Sequence, residues 1–415
     1  MELSERTLAK YRYWILTLIF SVAVVNYVDR QAFSVASSAI LKEFHMPAAQ
    51  FGRVVSMFLL AYAVAQPLAG RLLDRVGSVR GFAWAVLWWS AACAMHAVAG
   101  GVWSFGIYRF LLGFGEGALI PACIKTISEW MPKNDRAFGI GIMNAGISIG
   151  GMIATPLIAE LTLRFGWRMM FVVTGALGLI WLAAWLWFMG GKQPVNTAAE
   201  PAPAPGTRHA AAPSWRDMLR RREIVGLVLS RVISDPAWYF YLFWLPPYLA
   251  QVRGFDLRKL SIFGWIPFAT SLVGALLSGW IAQRLLQSGW SIDRTRKGIL
   301  LFAAVLMPAG ILVGYADDVY VCLALICLVT FLIQVWATSL FAIPADLFPP
   351  SQVGSVVGFC AATGSLSAML FQLVVGEVVD RFSYTPIFTT VALMHPLALV
   401  CIHRFIRRID RLPAA

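Results

Sequence analysis

The chain has 415 residues, 59% of them hydrophobic and only 13% charged, yet its formal net charge is +13. So much apolar surface cannot be buried in a soluble core, which excludes an ordinary soluble enzyme or a free nucleic-acid-binding module. Apolar runs of roughly 18–25 residues, the length that crosses a hydrocarbon core, recur from Tyr13 almost to the C-terminus and predict an all-α integral membrane protein.

About twelve such runs can be placed, centred near Val25, Leu60, Leu87, Glu116, Ile149, Ile180, Trp238, Ser271, Val305, Leu328, Leu366 and Leu397. Gly and Pro inside several of them are compatible with membrane helices, and the runs are too long for barrel strands. The first run carries no cleavage site and is expected to remain as helix one. Within it, "NYVDRQ" places an acid and a base side by side, Asp29 and Arg30, at membrane depth. Helix two brings Tyr62 to similar depth, and "GRLLDRVGSVR" (Gly70 to Arg80) links it to helix three. Helix four holds Arg109 and Glu116 around "GFGEG", a small-residue stretch that reads as a packing face because it follows no strand. Helix five carries the isolated amide Asn144.

After the sixth run the composition changes. Residues 190–222 are Ala/Pro-rich and then basic, as in an extended linker, and divide the chain into six-helix bundles at 1–189 and 223–415. Helix seven contains Arg231 and Asp235 four residues apart, positioned for an intrahelical pair, followed by Trp238, Tyr241 and Trp244. The loop after helix eight, Gly279 to Lys297, repeats the Gly-basic-Gly character of the loop after helix two. Gln334 and Ser339 in helix ten and Gln372 in helix eleven complete the polar residues at depth.

The basic residues explain the net charge. About 23 of 34 fall at the two ends of the chain and in the even-numbered connections, and about 8 in the odd-numbered ones, so the positive-inside rule puts both termini in the cytoplasm. The six cysteines lie in apolar runs without a C-x-x-C pair and read as small core residues. His96 and His395 read as packed residues. No metal site of the H-E-x-x-H kind is present, and the expected cofactor set is empty.

A charge at membrane depth costs several kcal/mol and persists by pairing or by facing a cavity, about 2.5–3.5 kcal/mol on insertion scales. Asp29 and Arg30 point about 100° apart on a helix and cannot satisfy one another well. Arg30 shares a face with Asn26 and Tyr27. An Asp29–Arg109 pair would leave Arg30 and Glu116 to serve a cavity; the alternative is one structural cluster of all four charges. In the first arrangement Arg30 is a receptor for an anion.

Gly70, Asp74, Arg75, Gly77 and Arg80 resemble the loop between helices two and three of the major facilitator superfamily. "YRFLLGFGEGALIPACIKTISEWMPKNDRAFGIG" (Tyr108 to Gly141), "NYVDRQ" and "GWRMMF" resemble its anion:cation symporter family. "SRVISDPAWYFYLFWLPPYLAQVRGF" (Ser230 to Phe255) and "PADLFPPSQVGSVVG" (Pro344 to Gly358) resemble the hexuronate and sugar-acid branch.

The resemblance implies twelve helices in two bundles related by an axis along the membrane normal, with the substrate site near the midplane. It also implies a multi-pass protein of a bacterial inner membrane that takes up small organic anions, such as hexuronates and aldonates, together with protons. By the same resemblance Arg30 engages the substrate carboxylate, Glu116 and Asp29 are proton sites, and Arg109 is the helix-four arginine. Tyr27, Tyr62, Asn144, Gln334, Ser339 and Gln372 are candidates for sugar hydroxyls, and the rings of Trp238, Tyr241 and Trp244 for an apolar sugar face. Gly70, Asp74, Arg75, Gly77, Arg80, Arg231 and Asp235 are assigned to structure or gating. Helix eleven departs from many sugar-acid members, with Ala361 and Ser365 where those carry asparagines. The expected partners are the anionic substrate and the bilayer, with no nucleic acid, around a monomer. Alternatives on the same fold are an exporter or antiporter of metabolites or drugs, or uptake of a non-sugar monocarboxylate.

Overall fold

The computed structural model describes residues 5–132, 135–191 and 220–410. Residues 192–219, most of the expected linker, and the basic residues Lys133 and Arg411 lie outside the described residues. Helices α1 (Glu5–Val35), α2 (Ser37–Glu43), α3 (Ala48–Val76) and α4 (Ser78–Met95) are followed by α5 (Val102–Glu116), α6 (Leu119–Trp130) and α7 (Arg136–Met189). Beyond the linker come α8 (Arg222–Gln251), α9 (Leu257–Phe263), α10 (Ile266–Gln287) and α11 (Ile292–Leu306). A 3-10 turn (Met307–Gly314), α12 (Val319–Leu347), α13 (Pro350–Arg381) and α14 (Thr385–Phe405) complete the order.

Among the described residues, ten stretches are long and apolar enough to cross a membrane. One of them, Phe138–Met189, spans 52 residues and breaks at Gly166, whose φ of 78° and ψ of 161° are non-helical, so it supplies two crossings. A positive φ of this kind is open to glycine and costly for other residues. Helix α8 is missing from the ten because Arg231, Asp235 and three prolines dilute its hydropathy, but its 30 residues are long enough to span. The architecture is therefore the twelve-helix membrane fold that the sequence predicts.

The described chain gathers into two compact units. One holds residues up to 46, 57–191 and 249–265; the other holds 47–56, 220–248 and 266–410.

In the first unit, α1 packs along α7, and α4 lies against α5 and α7. Phe82, Trp181 and Trp185 form one aromatic group, with Trp181 and Trp185 stacked at 5.2 Å. His96 stacks on Phe171 at 4.7 Å, is fully buried, and shares its Nδ1 with the Ala92 carbonyl at 2.8 Å, so it is a packed histidine. Glu43, at the end of α2, ties this end of the unit to the break in α7. It accepts from Trp167 Nε1 at 2.7 Å and from both terminal nitrogens of Arg168 at 3.1 and 2.7 Å. The hydrogen bonds from Arg168, then that from Trp167, hold the Glu43 carboxyl below its usual value of 4.5.

In the second unit, Leu300, Ala303, Trp336, Ile343 and Ile402 form a core that is almost wholly buried. His395 packs edge-on against Trp336. The Asp380 carboxylate of α13 accepts the backbone N–H groups of Ala48 and Ala49 at 2.8 and 2.7 Å. It thus caps α3 from another helix, where the helix dipole favours an anion. On the outer faces large side chains such as Trp84, Trp103 and Trp187 remain exposed, as expected where hydrocarbon and not water is the solvent.

Candidate functional site

Arg30 is the centre of a buried cluster in the first unit. Its Nε donates to Glu116 Oε2 at 2.9 Å, and an η nitrogen donates to Asn26 Oδ1 at 3.2 Å. The Asn26 contact follows from helical periodicity, which places residues four apart on one face. The guanidinium lies over the rings of Tyr27 and Tyr62, each at 4.7 Å, with Phe58 at 5.5 Å. Arg30 is 3% exposed and Glu116 is fully buried.

The pairing differs from the expected one. Arg109 donates to the backbone carbonyl of Arg30 at 3.3 Å and lies 4.5 Å from the Phe58 ring centroid. Asp29 instead receives the Cys93 thiol at 3.4 Å, and that thiol is 3.3 Å from the Thr174 hydroxyl. The expected Asp29–Arg109 ion pair is thus replaced by an Arg30–Glu116 pair. The reason is azimuthal: periodicity gives the face of a residue on its own helix, but not which neighbour that face meets. Among the described residues, Glu116 Oε1 and Asp29 Oδ2 are buried without a hydrogen-bond partner.

Close helix approach builds this cluster. Any side chain at Gly113 would overlap the Phe58 carbonyl, and one at Gly117 would come within 2.7 Å of the Ala65 methyl, so α5 lies directly against α3. Gly115 faces α4 in the same way, within 2.7 Å of Trp88. The small residues of "GFGEG" are a packing face that brings Glu116 to Arg30. Asn144 sits exposed on α7, and its carbonyl accepts the Ser148 hydroxyl at 3.1 Å. The run Gly146 to Gly150 spells G-x-S-x-G, but it lies inside α7 and not at the strand-to-helix turn that a serine nucleophile requires.

The second unit holds the other candidates. Arg231 Nε donates to Asp235 Oδ2 at 2.7 Å as an i,i+4 pair, and its guanidinium lies 4.2 Å from the Phe341 ring centroid. Trp238 is half-buried, edge-on to Phe268. Tyr241 is buried between Phe240 and Phe388. Trp244 donates to Gln372 Oε1 at 2.6 Å, and Gln372 is fully buried. Ser339 donates to the Arg296 carbonyl at 3.3 Å, and the half-buried Gln334 accepts from Thr338 through its own carbonyl.

The expected loop from Gly70 to Arg80 is reduced to Gly77, because Gly70, Asp74 and Arg75 continue α3 and Arg80 lies in α4; Asp74 receives Lys125 Nζ at 2.7 Å. Gly77 turns the chain with φ of 82°, Gly70 is half-buried, and Arg75 and Arg80 are exposed. The described cysteines are free, and the described residues include no cluster of metal-ligating side chains.

A polytopic helical protein with a buried arginine–carboxylate pair at depth has the features expected of a membrane transporter. The family model "Major Facilitator Superfamily" matches residues 19–288. The hexuronate transporter of Escherichia coli K12 is 30% identical over 412 residues, covering 96% of this chain and 94% of that protein. The D-galactonate transporter of Escherichia coli O6:H1 is 28% identical, covering 96% and 97%. Among solved structures, a bacterial homologue of the human lysosomal transporter Spinster, in an inward-facing and unoccupied conformation, superposes with a TM-score of 0.81 at 18% identity, covering 98% and 99% of the two chains. The chain belongs to the major facilitator superfamily, in the branch of hexuronate and sugar-acid transporters. It is a multi-pass transporter of a small molecule and not an enzyme.

The sequence did not point to Phe58, Cys93 or Thr174. An apolar or small residue in an apolar run carries no signal of its own; only the i,i+4 spacing of Phe58 and Tyr62 hinted at a shared face.

Proposed function

We propose that the chain is a proton-coupled symporter that imports a sugar acid, a hexuronate or an aldonate, by alternating access of its two six-helix halves, 1–189 and 223–415. The observation that carries this reading is the buried Arg30–Glu116 bond of 2.9 Å. While Glu116 is ionised, its carboxylate occupies the guanidinium that an incoming carboxylate would use. A proton placed on the unengaged Oε1 neutralises the carboxylate and leaves the positive charge of Arg30 for the guest. Arg30 then grips the substrate carboxylate through two parallel N–H···O bonds, a geometry that lysine reproduces poorly. Asp29 is the second proton site, the proton is the coupling ion, and no cofactor takes part.

The energetics ask for such coupling. Bringing an anion into a negative cytoplasm opposes about 2.3 kcal/mol per charge per 100 mV. A proton carried inward with the substrate cancels that term. The relatives named for hexuronate and D-galactonate support the substrate class. The distribution of Lys and Arg supports a cytoplasmic-membrane protein with both termini inside, and the transport unit is a monomer.

The test is uptake of labelled glucuronate, galacturonate, galactonate and lactate into proteoliposomes, with and without an inward proton gradient. A sugar acid is expected to accumulate only with the gradient. Glu116→Gln is expected to abolish gradient-driven accumulation and retain exchange. Arg30→Ala is expected to raise KM at least about tenfold, the loss of a charge-assisted bond of about 1.5–3 kcal/mol. Unchanged net uptake in Glu116→Gln would refute the coupling role.

A further inference from the structure

The ring of Phe58 lies beneath two cations at once. The Arg109 guanidinium is 4.5 Å from its centroid and that of Arg30 is 5.5 Å away, both within reach of a cation–π attraction. Phe58 is fully buried, stacks on Tyr62 at 5.8 Å with 15° between the planes, and has its backbone pressed against Gly113. Arg109 also holds the Arg30 carbonyl, so the two arginines are tied together through backbone and ring.

We propose that Phe58 is a positioning residue for the anion receptor: its electron-rich ring attracts both Arg30 and Arg109, so that Arg30 stays in place when Glu116 takes up a proton. The proposal rests on the symport reading above. Protonation removes the charge that Arg30 pairs with and leaves two neighbouring guanidiniums to repel each other. An aromatic ring offsets that repulsion without accepting a conventional hydrogen bond, so it leaves the N–H donors to oxygen partners. The Arg30 donors remain directed at Glu116 and Asn26, and that of Arg109 at the Arg30 carbonyl. A leucine of similar bulk fills the space but has no such face.

The experiment compares the wild type, Phe58→Leu, and a protein with 3,4,5-trifluorophenylalanine at position 58, which keeps the ring shape and removes its negative face. Galacturonate uptake in proteoliposomes is measured alongside monodispersity and Tm. Both variants are expected to raise KM about tenfold and leave kcat within about twofold, with the trifluorinated protein as stable as the wild type. A trifluorinated protein with wild-type KM overturns the proposal, as does a loss confined to kcat. A second readout does not depend on transport: the arginine side-chain Nε–H resonances of protein labelled with 15N-arginine. Arg30 and Arg109 are expected to lose their ring-current shift in Phe58→Leu. Shifts unchanged by loss of the ring overturn the placement of the two cations. If the wild type imports no sugar acid while the resonances move as expected, the symport reading fails and the positioning by Phe58 stands.

Discussion

Glu116 reaches Arg30 because its neighbours on α5 have no side chains to keep α3 and α4 away. Gly113 bears the tightest of these contacts, since an added methyl would meet a backbone carbonyl that cannot rotate aside. Gly113→Ala is therefore expected to destabilise the protein by about 1–3 kcal/mol, the cost typical of overpacking, read as a fall in Tm of the detergent-purified protein. Gly141→Ala, where nothing lies within 4 Å, serves as the comparison and is expected to keep Tm. Arg30, Glu116, Asp29 and Arg109 were legible from sequence because a charge among apolar residues must be explained. Their partners were not. The turn of a helix fixes the angle between Asp29 and Arg30, but only packing decides that Arg30 meets Glu116, that Arg109 meets a carbonyl and that Asp29 meets the Cys93 thiol.

At the scale of elements, the helices followed from run length, and the exceptions have local causes. Gly166 breaks α7 within an otherwise unbroken apolar helix, which the Gly-Trp-Arg of "GWRMMF" marks only weakly. Helix α8 was legible despite its charges because Arg231 and Asp235 satisfy each other four residues apart. The short α2 and its clasp onto Trp167 and Arg168 could not be read, since nothing near Glu43 in sequence names a partner 124 or 125 residues away. The clasp has a defined pH signature. The Glu43 carboxyl is held below its usual value of 4.5, so its contribution is fully present above that value and is lost as pH falls through the lower folded one. The pair is part-exposed, 49% on the Arg168 side and 40% on the Glu43 side, so its contribution is small. Glu43→Gln is expected to lower Tm by about 1–2 °C at pH 7 and to match the wild type once the pH has fallen below the lowered folded value of the Glu43 carboxyl. A difference that persists at acid pH would assign the clasp to the shape of the side chain and not to its charge.

For the molecule as a whole, function depends on how much charge the loaded carrier moves. On the symport reading an anionic monocarboxylate entering with one proton carries no net charge, and the same anion entering with two carries one positive charge inward. Asp29 and Glu116 are both buried, each with one oxygen unengaged among the described residues, so the site has room for two protons. Wild-type galacturonate uptake is accordingly expected to accelerate under an imposed inside-negative potential at fixed pH gradient. Asp29→Asn, left with Glu116 as its only proton site, is expected to respond to the pH gradient and not to the potential. The measurement is initial uptake into proteoliposomes clamped with potassium and valinomycin, at zero and at 100 mV. One charge across that potential is worth about 2.3 kcal/mol, enough for a severalfold change in rate even if the limiting step senses only part of the field. Equal responses of wild type and Asp29→Asn would remove Asp29 from the coupling mechanism and leave Glu116 as the proton carrier.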